Sequence, residues 1–114
     1  MSADVPETRL TIANALGRLG RADGATWIAL FQHGSLAIEI YRPRGSDPQA
    51  PHDQDEVYVV ISGTGDFVVD GRRQPFEPGE LLFVRAQVPH RFENFSDDFA
   101  TWVVFYGPKG GETP

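Results

Sequence analysis

From Trp27 to the end, glycine, proline, asparagine and aspartate cut the chain into short apolar runs, and this punctuation constrains the fold more than any other feature. The runs are Trp27–Phe31, Leu36–Tyr41, Val57–Ile61, Phe67–Val69, Leu81–Val84, Arg91-Phe92 and Ala100–Tyr106. Between them lie a hairpin turn at Gln32–Ser35, a loop with three prolines and a glycine from Arg42 to Pro51, and Ser62-Gly63-Thr64-Gly65. Asp70-Gly71 is a strong hairpin signal. Pro75–Glu80 and Ala86–Pro89 read as turns, and Asn94–Asp98 reads as a loop. Roughly eight short strands at intervals of about ten residues predict an all-β sandwich or barrel.

The first part of the chain has a different period. Leu10, Ala13, Leu16 and Leu19 recur at helical spacing, with Glu7 and Thr8 near the start, and predict one short amphipathic helix over Glu7–Leu19. Residues 1–6 read as a loose tail, and Gly20–Gly24 breaks the helix. The organisation expected is an N-terminal tail and helix (1–24), one barrel (25–107) and a polar C-terminal tail (108–114). The helix would lie outside the barrel. Its apolar stripe would then need cover, which predicts a homodimer.

A chain of 114 residues has room for one core. Its hydrophobic content of 40% and charged content of 23% are those of a folded soluble domain. With 10 basic against 16 acidic residues the net charge is −6, which argues against nucleic acid and anionic membrane surfaces as partners. There is no cysteine, so disulfides and thiolate zinc sites are excluded, and any metal must be held by nitrogen and oxygen. No apolar stretch approaches the roughly 20 residues of a membrane span. Met1–Glu7 lacks the basic end and apolar run of a secretory signal, so a cytoplasmic location is expected.

Two stretches carry the chemistry. Pro51-His52-Asp53-Gln54-Asp55-Glu56 precedes Val57–Ile61 and Gly63, and Pro78-Gly79 leads through Leu81–Val84 to Pro89-His90-Arg91-Phe92-Glu93-Asn94. Two imidazoles and a carboxylate brought together inside an all-β fold would make a three-ligand metal site with open positions. In a strand, His52, Gln54, Glu56 and Tyr58 would share one face.

These stretches resemble the paired motifs of the cupin superfamily. Glu56 and Gly63 match the end of the first motif, and His52 fills its second histidine place with a three-residue spacer. The first histidine place then falls on Ala50. A four-residue spacer, which also fits Gly45, puts the two histidine places on Gln49 and Pro51. In the second motif Gly79, His90 and Asn94 match, while Arg85 stands for the proline and Gln87 for the glycine. The resemblance spans about residues 25–107. It implies a jelly-roll β-barrel holding a divalent ion (iron, manganese, zinc or nickel) through His52, Glu56 and His90. Gln49 is the preferred fourth ligand and Gln54 the alternative.

The resemblance implies a metal-dependent enzyme of dioxygenase, isomerase or lyase type on a small oxygen-rich or aromatic substrate. A non-catalytic small-ligand module and a structural dimer with a vestigial site are the competing readings, because the fold hosts many activities. His33 reads as a surface turn, and Asp53 and Asp55 as solvent-facing charges at a strand edge. Trp27, Tyr41, Tyr58, Phe67, Phe83, Phe92, Trp102 and Phe105 are expected to fill the core, some of them lining a ligand cavity. Arg42, Arg85 and Arg91 would bind a substrate carboxylate if they pointed inward, and are expected to be exposed.

Overall fold

The structure is a computed structural model that describes residues 8–114. The tail expected over residues 1–6, and Glu7, lie outside the described residues. The helix α1 spans Ile12–Gly20, starting later than the leucine spacing predicts. Thr11 sets its start: its backbone is extended, and its side-chain oxygen accepts from the amide of Asn14, an N-cap. The strands follow as β1 (Trp27–His33), β2 (Leu36–Tyr41), β3 (Asp55–Ser62), β4 (Gly65–Val69), β5 (Arg72–Phe76), β6 (Leu81–Val84), β7 (His90–Glu93) and β8 (Ala100–Tyr106). Pro75 falls inside β5 rather than in a turn. The position is tolerated because β5 is an edge strand, where no ladder donor is required of it.

The strands form two antiparallel sheets, one ordered β1-β2-β8-β3-β6 and the other β5-β4-β7. Asp70-Gly71 closes the β4–β5 hairpin with positive φ at both residues, as a tight two-residue turn requires. Gly63 separates β3 from β4 at φ +85°, and a Cβ there would lie 2.5 Å from Phe99 Cα, so only glycine fits. Tyr58, Phe67, Phe76, Phe92, Phe99 and Val103 pack between the sheets as the barrel core.

The larger sheet is apolar on both faces. On β2, Ile38 and Ile40 point outward to Ala15 and Leu19 of α1, and Trp102 of β8 joins them. Burying each such aliphatic side chain contributes roughly 1.5–3 kcal/mol. The helical stripe is therefore covered by the protein's own sheet. Its buried members are Ala15 and Leu19, and Ala13 faces solvent. This removes the basis on which a helix-mediated dimer is expected. The exposed large apolar side chains are instead Ile12, Trp27, Leu81 and Phe83. Phe83 thus departs from the core role expected of it, while Trp27 lines a cavity rather than packing in the core.

The inner face of β2 carries Glu39 and Tyr41, which line a cavity at one end of the barrel. Among the described residues, no helix is long and apolar enough to cross a membrane.

Candidate metal centre

The site forms where the two sheets meet. Glu56 is the second residue of β3 and points inward from the larger sheet, only 1% exposed. His90 opens β7 in the smaller sheet and is also buried. His52 lies in the loop before β3, with about a third of its side chain exposed. Ligand atoms from these three residues all lie within 4.8 Å of one another. His90 Nε2 is 3.1 Å and His52 Nε2 3.9 Å from Glu56 Oε1.

The hydrogen bonds around this group leave a place for a cation. His90 Nδ1 lies 2.9 Å from the Val88 carbonyl, which can only accept, so Nδ1 carries the proton and a neutral ring turns the lone pair of Nε2 inward. That lone pair faces Glu56 Oε1, a buried oxygen with no hydrogen bond of acceptable geometry among the described residues. Two acceptors at this distance in a buried site need a positive charge between them, a proton or a metal ion. Burial works against the charged ring, but Glu56 and the Val88 carbonyl outweigh it and raise the His90 pKa. The donor set of two imidazoles and one carboxylate, with the outer nitrogen of His90 fixed by a carbonyl, fits a divalent ion.

Gln49 stands beside this group. Its Oε1 is 3.0 Å from His52 Nε2 and accepts from the Tyr58 hydroxyl at 3.1 Å. The amide is oriented by Asp47, whose Oδ2 accepts from Gln49 Nε2 at 2.6 Å and from the Phe92 backbone N–H at 2.8 Å. Tyr41 also donates its hydroxyl to Asp47. Asp47 thus pins the proline-containing loop into the barrel and turns the carbonyl end of Gln49 toward the site. The Tyr58 hydroxyl is 3.1 Å from His90 Nε2, and burial followed by the charge of Glu56 holds its pKa well above the ordinary phenol range. Gln54 is engaged elsewhere, donating to the carbonyls of Ser35 and Gly107. Parity with Glu56 does not bring it to the site, because the chain before Asp55 is not yet strand.

The cavity over the site has a volume of about 450 Å³, in the range of small-molecule pockets. Its walls include Trp27, Glu39, Tyr41, Gln49, Tyr58 and Phe105. Glu39 is half-buried, and burial first, then the nearby charge of Glu56, push its pKa up to about 7.

Asp47 and Glu39 are functional candidates that sequence reasoning missed. The signal for Glu39 was its alternation with Ile38 and Ile40, which becomes informative once the helix is seen to take the isoleucine face. Asp55 corrects an expectation: it is buried, and it accepts from the backbone N–H groups of Ala86 and Glu112, which lower its pKa. It ties the second motif and the C-terminal segment to the start of β3. Asp53 is exposed, as is His33, and so are Arg42, Arg85 and Arg91. Gln87, in the glycine place of the second motif, adopts φ +69° and donates its backbone N–H to the His52 carbonyl at 2.7 Å. The left-handed backbone explains why glycine suits this place, and the hydrogen bond joins the two motif loops directly.

Comparison with known proteins agrees with this architecture. Residues 37–106 match the family model described as "Cupin domain". An uncharacterised protein of Streptomyces coelicolor is 33% identical over 89 residues, covering 76% of this chain and 84% of that protein. The HTH-type transcriptional activator RhaS of Yersinia pestis is 36% identical over 73 residues, which are 64% of this chain but 27% of RhaS. A structure of unknown function from Rhizobium leguminosarum superimposes with a TM-score of 0.71 at 21% identity, covering 91% of this chain and 100% of that one. A structure of the DMSP lyases RdDddP and RnDddQII gives a TM-score of 0.62 at 26% identity, over 73% of this chain and 47% of that one.

Proposed function

The chain belongs to the cupin family, and on that basis we propose that it is a metal-dependent enzyme acting on a small molecule held in the barrel cavity. His52, Glu56 and His90 would hold one divalent ion, with the Gln49 carbonyl oxygen as fourth ligand. The observation that carries this reading is the buried, unpartnered Glu56 Oε1 facing the lone pair of His90 Nε2 at 3.1 Å. When bound, the ion supplies Lewis-acid or redox chemistry to a substrate oxygen.

The chain's own residues do the rest. The Val88 carbonyl fixes the His90 ring, and Asp47 fixes the Gln49 amide. Tyr58 keeps its proton at neutral pH and presents a neutral O–H beside the ligands. Phe105 packs edge-on against the His52 ring at a centroid distance of 5.0 Å and holds its orientation. The likeness to a lyase structure supports the lyase arm of this reading ahead of the dioxygenase and isomerase arms.

Elemental analysis of protein purified without added metal should find close to one divalent ion per chain. His52→Ala, Glu56→Ala and His90→Ala should each lower that content. Retention of the metal by all three variants would refute the site. The partial likeness to RhaS, a transcriptional activator rather than an enzyme by its name, favours a second reading, a non-catalytic module. Turnover of any member of a panel of small oxygen-rich and aromatic substrates by the metal-loaded protein separates the enzyme from the module.

A further inference from the structure

On the cavity wall contributed by β1 and β2, two aromatic rings and a carboxylate lie together. Trp27 and Tyr41 are directly paired across the two strands, so their side chains share one face at roughly 5 Å between Cβ atoms. Glu39 is two residues from Tyr41 on the same strand, which places it on that face about 7 Å further along. All three line the cavity. β8 separates this wall from β3, which carries Glu56, so the two walls stand about 10 Å apart across the sheet.

Away from the metal group, the charged side chains that line the cavity are one-sided. No lysine or arginine is among the described residues that line it, whereas both Glu39 and Glu56 are. Among the described residues, no ion pair or hydrogen bond engages the Glu39 side chain. A carboxylate that is half removed from water and has no partner is costly unless a ligand supplies the partner. Two electron-rich rings beside it attract the same kind of group, since ring faces bind cations. Anionic ligands find nothing on this wall to hold them.

We propose that the cavity takes a small ligand with an amine or quaternary-ammonium end, seated against Glu39, Trp27 and Tyr41, and an oxygen donor at its other end directed to His52, Glu56 and His90. This rests on the reading above that the cavity receives the substrate. The cavity volume, about 450 Å³, sets the size class at a few carbons beyond the cationic group.

Three probes of nearly equal shape test the charge preference by calorimetry on the protein as purified: choline, the neutral 3,3-dimethylbutan-1-ol and the anionic 3,3-dimethylbutanoate. Choline should bind about tenfold more tightly than the alcohol. Glu39→Gln should reduce that preference to about threefold or less while metal content, measured on the same sample, stays at the wild-type value. Trp27→Ala should weaken choline more than the alcohol. Equal binding of choline and alcohol, tightest binding of the carboxylate to chelator-treated protein, binding of none of the three, or an undiminished preference in Glu39→Gln would each overturn the proposal. A preference that persists in a chain carrying no metal would support the cation site and count against the metal reading alone.

Discussion

Asp47 is the residue whose removal should do most damage for its size. It is 6% exposed and accepts hydrogen bonds from Tyr41, Gln49 and the Phe92 backbone. In Asp47→Ala the Phe92 N–H is left buried without an acceptor, which costs about 1–3 kcal/mol. Tyr41 and Gln49 are half-buried, so water can replace part of what they lose, at about 1 kcal/mol together. The sum is about 3 kcal/mol, and for a domain of this size each kcal/mol lowers Tm by about 4 °C. Thermal denaturation should therefore show a drop of about 12 °C. Metal affinity should fall by up to about tenfold, no more than in Gln49→Ala, because Gln49 loses the group that orients its amide. If Asp47 acts on the metal through Gln49, Asp47→Ala added to Gln49→Ala should weaken the metal little further. A Tm within about 4 °C of wild type, or fully additive losses of metal affinity, would refute this account of the loop.

Gln49→Ala should weaken metal binding in a chelator competition by about tenfold, whereas Gln54→Ala should leave it unchanged and lower stability by about 1 kcal/mol through its two lost carbonyl contacts. Gly63→Ala should cost more than about 3 kcal/mol in urea unfolding, because its Cβ would meet the Phe99 backbone at 2.5 Å and its φ is +85°. For Glu39, raised to about 7, the folded state favours the protonated form. In chelator-treated protein the ionised carboxylate therefore costs stability that is absent below about pH 4.5, accumulates through the window up to 7 and is complete above it. Glu39→Gln should remove that cost, gaining about 1–2 kcal/mol over wild type at pH 8 after allowance for solvent screening, and almost none at pH 4. Light scattering on the wild type should give twice the chain mass of 12.6 kDa, with Leu81 and Phe83 of β6 at the contact. The Leu81→Glu, Phe83→Glu double variant should run as a single chain, and a monomeric wild type would refute the pairing.

The fold was legible because its signals are local. Asp70-Gly71, Gly34 and Gly63 mark turns whose backbone needs positive φ, and the apolar runs between such marks are the strands themselves. The helix start was less legible. Thr8 and Thr11 offer the same capping chemistry, and only the placement of Ala15 and Leu19 against Ile40 decides between them. His52, Glu56 and His90 were legible through spacing, since the residue types and strand order that bring them together are written in the chain. That Gln49 rather than Gln54 lies beside this group was not. It depends on Asp47 reaching across to the Phe92 backbone, a contact 45 residues away in sequence.

The least legible feature is the inversion on β2. Alternation of Leu36, Ile38 and Ile40 with Ala37, Glu39 and Tyr41 normally assigns the isoleucines to the barrel and the glutamate to solvent. Here a second hydrophobic cluster lies outside the larger sheet. It is built from Ala15 and Leu19 on the helix with Leu30 and Ile40 on the strands, and it claims the isoleucine face. The polar face must then point inward, and the fold tolerates it there only because that end of the barrel is an open cavity rather than packed core. The short N-terminal helix is thus tied to the chemistry of the site. By covering one face of β2 it turns Glu39 and Tyr41 toward the ligand cavity. Loosening the helix, for example by Leu19→Ser, should disturb the cavity wall at Glu39 before it disturbs the His52, Glu56 and His90 group, because α1 packs chiefly on β1 and β2.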